Sequence, residues 1–122
     1  VEDSALRALS KLEDQHDDVR QISDQISKCL KSGDASLEAV ARELAMSKRT
    51  LQRVLEREGT SYRKLTEDVR KSLAERYLVE EDLQISQIAY LLGYSEISAF
   101  SRAVKIWFGV PPKALKMQKG KA

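Results

Sequence analysis

A chain of 122 residues has room for one domain, or for two very small ones that share a core. Gly 5 and Pro 2 are too few for an all-β fold. No apolar run approaches the roughly 18 residues of a membrane span, and a single Cys excludes an internal disulfide framework, pointing to a reducing cytoplasm. The net charge of +2 divides unevenly: residues 1–34 carry five basic and eight acidic groups (−3), and residues 35–122 carry 16 and 11 (+5). A basic body behind an acidic leader points to an anionic partner for the body.

Taken in chain order, residues 1–18 form the acidic leader. Because the chain begins at Val1 and not at methionine, the leader is expected to connect to a further N-terminal domain. Leu12, Val19 and Ile26 recur every seven residues, with Ile22 and Cys29 three residues after the last two. This is one apolar stripe on a helix that Gly33 ends as a C-cap. The stripe fits a helix packed on the following domain, or a short coiled-coil connector; Gln15 and the short length weaken the second reading. A second helix starts after Ser36 as N-cap, with Leu37, Val40, Ala41 and Leu44 on its apolar face. Ser47 caps a third through about Arg57, with Leu51, Val54 and Leu55 inward, and Gly59 breaks it.

A long helix follows, Ser61–Val79, in which Leu65, Val69, Leu73 and Tyr77 recur every four residues. After Glu80-Glu81-Asp82 a short helix carries Ile85, Ile88, Ala89 and Leu92, and Gly93 ends it. Another helix is expected from Ser95 to about Trp107, then a break at Gly109 and a last helix opened by Pro111-Pro112. The sequence therefore predicts an all-α fold of about seven helices. Its expected parts are a first subdomain over 19–60, a linker helix over 61–79, a second subdomain over 80–117 and a frayed tail over 118–122.

An internal repeat organises this series. Val40-Ala41-Arg42-Glu43-Leu44-Ala45-Met46-Ser47 lies over Ile88-Ala89-Tyr90-Leu91-Leu92-Gly93-Tyr94-Ser95 at an offset of 48. Leu51-Gln52-Arg53 then lies over Phe100-Ser101-Arg102 at 49, and the stretch from Gly59 over that from Gly109 at 50. One helix-turn-helix unit appears twice, the second copy with one extra residue in its turn. A small residue in each first helix, Ala41 or Ala89, permits a close crossing. The turn takes Gly93 in the second copy, where positive φ costs nothing. The first copy has Ala45 there, so its turn must avoid the left-handed region or accept strain.

The outward residues of the second helix in each copy suit nucleic acid. In the first copy they are Lys48, Arg49, Gln52, Arg53 and Glu56, with Thr50 near the first turn. Arginine grips guanine O6 and N7 bidentately, and glutamine does the same for adenine N6 and N7. Arg49, Gln52 and Arg53 share one face at i, i+3, i+4. The second copy presents Glu96, Ile97, Ser98, Ser101, Arg102 and Lys105, a less basic set. Ile97 suits a thymine methyl and Arg102 a guanine, whereas Glu96 repels phosphate.

The stretch from Ile85 to Ser95, continuing through Phe100-Ser101-Arg102 to Trp107-Phe108-Gly109-Val110-Pro111-Pro112, resembles the signature of the AraC/XylS family of bacterial transcription regulators. Residues 36–41 and 46–53 resemble the family's first motif, and the resemblance covers about Val19 to Lys116. It implies two helix-turn-helix (homeodomain-like) subdomains on a long linker helix, reading double-stranded promoter DNA in adjacent major grooves. Carried over by position, base contacts fall to Arg49, Gln52 and Arg53 and to Ile97, Ser98, Ser101 and Arg102. Phosphate contacts fall to Ser47, Lys48 and Thr50 and to Ser95 and Lys105. The resemblance also implies RNA polymerase as a partner and a separate N-terminal effector or dimerisation domain, through which a homodimer would form. The tract from Tyr62 to Arg70 is similar to the branch whose N-terminal domain is arabinose-binding-like. Two departures stand out: Leu115-Lys116 replaces the Tyr-Arg common after the proline, and Gln84 replaces a capping Ser or Thr.

The rival from another class is a helical protein-interaction module, for example one that binds RNA polymerase without reading DNA. It leaves the two matched, Arg-bearing helices unexplained. Neither catalysis nor a cofactor or metal is expected. His16 lies among Asp14, Asp17 and Asp18 in the leader as a solvated side chain, and Cys29 sits on an apolar stripe. No glycine loop that would cradle phosphate and no acid/base pair is present.

Overall fold

The stripe read from the leader is the face that α1 (Glu2–Ser32) buries in the computed structural model: Ile22, Ile26, Cys29 and Leu30 are all withdrawn from solvent. The described residues are 2–80 and 82–119, with side chains from 17–80 and 82–117. The side chains of Leu12 and His16 therefore lie outside the described residues. Gly33 ends α1 at φ 95°, and Asp34 N–H returns to the Cys29 carbonyl at 3.0 Å.

Helices α2 (Leu37–Glu43) and α3 (Lys48–Arg57) begin where serine N-caps were expected: Ser36 Oγ accepts from Ala39 N–H and Ser47 Oγ from Thr50 N–H, each at 3.1 Å. Ser61 does the same for α4 (Tyr62–Val79), accepting from Lys64 N–H at 3.1 Å. Then follow α5 (Ile85–Leu91), α6 (Ile97–Phe108) and α7 (Pro112–Lys119), the last opened by a proline at its first position. No strand occurs among the described residues. The fold is all-α, two helix-turn-helix units on one linking helix.

One helix start departs from expectation and one cap from the family pattern, each with a local cause. Helix α6 starts at Ile97, because the extra turn residue moves the N-cap from Ser95 to Glu96, whose side chain makes no capping bond. Gln84 N-caps α5 without serine or threonine, and its backbone N–H is satisfied at 2.9 Å by the side chain of Gln87. At the other end, α7 is helical through Lys119, and the side chains of the tail expected from Gln118 lie outside the described residues.

The core comes in two parts. Ile22, Ile26, Cys29 and Leu30 from α1 pack with Val40, Ala41, Leu51, Leu55, Leu65 and Val69. Ala74, Tyr77 and Leu78 pack with Ile88, Ala89, Leu92, Phe100, Val104 and Leu115. Helix α4 thus gives its first half to one cluster and its second half to the other, and Leu73 packs against both. Ten large side chains are essentially without solvent contact, each worth about 1.5–3 kcal/mol of burial. Leu115 closes the second cluster, and Lys116 Nζ donates to the Leu83 carbonyl. Those are the tasks of the dipeptide that replaces Tyr-Arg.

Candidate nucleic-acid interface

Each second helix divides cleanly between core and solvent. In α3, Leu51 and Leu55 are fully buried while Lys48, Arg49, Gln52 and Arg53 are exposed. In α6, Phe100 and Val104 are fully buried while Ile97, Ser98, Arg102 and Lys105 are exposed. The inward pairs match across the repeat, so the outward faces do too: Arg53 corresponds to Arg102, Gln52 to Ser101 and Lys48 to Ile97. Of the twelve residues singled out in sequence, eleven are exposed and Ser101 is half-buried. Ile97 is 49% exposed at the first position of α6, an uncovered branched apolar side chain among polar neighbours.

The start of α3 is tightly organised. Ser47 Oγ accepts from Thr50 N–H and donates to Thr50 Oγ1 at 2.9 Å, fixing both hydroxyls beside the helix N-terminus, where anions are favoured. Lys48 Nζ bonds Glu38 Oε1 on α2 at 3.2 Å. The Glu38 backbone N–H, and after it the Lys48 ammonium, hold that carboxyl below its ordinary value. Solvent screens a pair this exposed, so Lys48 is readily released to a stronger anion. The start of α6 is different. Glu96 puts a carboxylate there, and Ser98 Oγ donates to its Oε2 at 3.4 Å. Ser95 is exposed in the turn before the cap.

The turn of the first unit takes the strained alternative. Ala45 has φ 55°, the single positive-φ residue other than glycine among those described. Its neighbours accept this because Met46 N–H reaches the Ala41 carbonyl at 2.9 Å and Ala45 N–H the Arg42 carbonyl at 3.1 Å, closing α2. In the second unit Gly93 takes φ 87°, and Tyr94 N–H reaches the Ala89 carbonyl at 3.0 Å. The two turns share a hydrogen-bond plan and differ in strain.

Two residues near the reading faces escaped the sequence. Arg63, exposed in the first turn of α4, shares a groove with Gln52 and Glu56 of α3. Arg70, halfway along α4, packs on the turn of the second unit: its Nε donates to the Leu92 carbonyl at 3.0 Å and its guanidinium lies 5.6 Å over the Tyr94 ring. Periodicity marks only apolar positions, and a cation next to Val69 reads as solvated.

No group of three or more His, Cys, Asp or Glu side chains suited to a metal ion occurs among the described residues. No helix of the described residues is long and apolar enough to cross a membrane.

Comparison with known proteins agrees with this arrangement. Residues 40–118 match a family described as a helix-turn-helix domain. The chain is 46% identical over 91 residues to the HTH-type transcriptional regulator VirS of Mycobacterium tuberculosis, covering 75% of this chain and 27% of that protein. Among solved structures, the C-terminal domain of AraT, a response regulator from Geobacillus stearothermophilus, is 32% identical with TM-score 0.68, covering 83% of this chain and 84% of that one. An AraC-type transcriptional regulator from Chromobacterium violaceum shares the fold at 21% identity and TM-score 0.65, with 84% and 95% covered. The chain spans about a quarter of the length of curated regulators that it matches. With two matched helix-turn-helix units on one shared helix, and relatives of this kind, the chain belongs to the AraC family as a DNA-binding domain of transcriptional regulators.

Proposed function

We propose that this domain binds double-stranded promoter DNA sequence-specifically by placing α3 and α6 in adjacent major grooves on one face of the duplex, and so regulates bacterial transcription. The observation that carries the reading is the shared helix. Its 18 residues extend about 27 Å at 1.5 Å per residue, and each end holds a core with one polar helix face outward. Adding the bulk of each unit approaches the roughly 34 Å of one DNA turn. A single chain then does what a helix-turn-helix dimer does, and reads an asymmetric site of about 20 bp.

In this reading Arg49, Gln52 and Arg53 contact bases in one groove, and Ile97, Ser98, Ser101 and Arg102 in the next. Ser47, Lys48 and Thr50, with Ser95 and Lys105, hold phosphates and set the register. For the whole regulator we extend the reading to the cytoplasm, to contact with RNA polymerase and to a homodimer formed through a separate N-terminal domain.

The deciding experiment selects bound sequences from a random duplex library with the 122-residue chain, then titrates the winners at two salt concentrations. The expected result is two blocks of fixed bases about one turn apart and a steep loss of affinity with salt. Failure to enrich any sequence, or affinity indifferent to salt, overturns the reading and favours a protein-interaction module.

A further inference from the structure

We infer that Arg70 is a positioning residue: it locks the second helix-turn-helix unit against the first, and so sets the spacing between the base-reading faces of α3 and α6. This rests on the two-groove reading above. Arg70 lies where α4 changes allegiance, one residue after Val69 of the first core and four before Ala74 of the second. Its side chain leaves the helix sideways and makes two contacts at once. Nε donates to the carbonyl of Leu92, the C-cap of α5, an oxygen that the end of a helix leaves without an intrahelical partner. The face of the guanidinium covers the Tyr94 ring, whose centroid is 5.5 Å from that of Phe100, fully buried on α6. Contact thus runs from the middle of α4 through the turn and into the recognition helix.

The first unit also reaches this turn. A Cβ at Gly93 would lie 3.4 Å from Arg70 Nη2 and 3.4 Å from Leu30 Cδ2, and Leu30 is part of the first core. The end of α1 and the side chain of Arg70 thus both border this turn, on the side toward which a Gly93 Cβ would point. A guanidinium fits this place because it donates along its edge while stacking with its face; an ammonium has no such plane. The energetic consequence is one of preorganisation. Once α3 is seated, α6 meets its groove as an intramolecular partner, with an effective concentration that depends on how narrowly its orientation is held.

The test compares wild type with Arg70→Met on the full selected duplex, on each half-site alone and on duplexes with one base pair inserted between the halves. It also measures, without DNA, the distance distribution between spin labels at Glu56→Cys and Ile106→Cys in a Cys29→Ala background. We expect Arg70→Met to lose about tenfold on the full site while each half-site stays within about twofold, and to tolerate the inserted base pair better than wild type does. The label distance should broaden from one narrow peak. Arg70→Lys should fall between the two. Where Arg70→Met does not fold, Tyr94→Leu, which removes the stacking ring, serves in its place and should shift the same readouts in the same direction. Equal losses on full and half-sites, or an unchanged distance distribution, overturn the inference. Should the wild-type chain select no DNA, the proposed function fails, and the label distances still decide the role of Arg70.

Discussion

The Tyr62 hydroxyl donates to the Ala35 carbonyl across 2.6 Å, tying the first turn of α4 to the residue before the N-cap of α2. A second carbonyl, that of Ser36, lies at 3.3 Å. The bond joins segments 27 residues apart and is half-buried, so its loss leaves a carbonyl short of a partner. Tyr62→Phe is expected to lower stability by about 1 kcal/mol in urea unfolding at neutral pH, with the helical circular dichroism unchanged.

The same residue gives the stability a direction with pH. Burial, ahead of every other influence, pushes the Tyr62 and Tyr94 hydroxyls above the ordinary tyrosine value. The unfolded chain thus releases these protons first as pH rises. The contribution is complete below the unfolded value of about 10 and is lost as pH climbs through the folded one. Urea unfolding of wild type and of the Tyr62→Phe/Tyr94→Phe double variant, from about pH 8 to 11, should show a shallower alkaline decline in the variant. Parallel declines would remove the two hydroxyls from the explanation.

Ala45 carries strain that glycine would not. A left-handed residue with a Cβ costs about 1–2 kcal/mol, offset in part by the extra chain entropy of glycine. Ala45→Gly should therefore raise stability by about 0.5–1 kcal/mol and the melting temperature with it. Gly93→Ala should do the reverse, and by more, because φ 87° lies farther from the left-handed minimum at about 57° than the 55° of Ala45.

Arg53→Ala and Lys48→Ala separate reading from holding. The first should weaken binding to the selected site by about 1–3 kcal/mol and relax the preference at one base position. The second should weaken selected and random DNA alike and reduce the salt slope by about one ion. Equal losses on selected and random DNA for Arg53→Ala would move that arginine from the bases to the backbone.

Glu96 is the least suitable residue on the reading side, a carboxylate at an N-cap where its side chain makes no capping bond. Glu96→Ser supplies a capping oxygen and removes a charge that repels phosphate. DNA affinity at low salt should rise, and the gain should shrink as salt is added. An unchanged affinity at every salt concentration would mean that Glu96 faces away from the duplex.

Much of this fold is legible in the sequence because its signals are local. Ser36, Ser47 and Ser61 each precede an apolar period, and each caps a helix. The apolar stripes of α1 and α4 are the faces that are buried. Where the reading slipped, the causes are local at two places and long-range at the third. Ser95 looks like Ser47, yet the one-residue-longer turn hands the cap to Glu96. Ala45 left two outcomes open, and the hydrogen bonds that close α2 favour the strained one. Arg70 was invisible because its partners, Leu92 and Tyr94, are more than twenty residues away and neither is a charge.

Leu73 touches both cores, and that shared membership has a consequence for how the domain can change. The two clusters have no fully buried residue in common and meet at this partly buried leucine. Cutting the chain at α4 would therefore strip a flanking side chain from at least one of them. Unfolding should accordingly be a single event, because losing one cluster strips support from the other. The exposed residues of α3 and α6 take no part in that dependence. With α3 and α6 reading DNA as proposed, new target sequences can be acquired by exchanging side chains on those two faces without repacking either core.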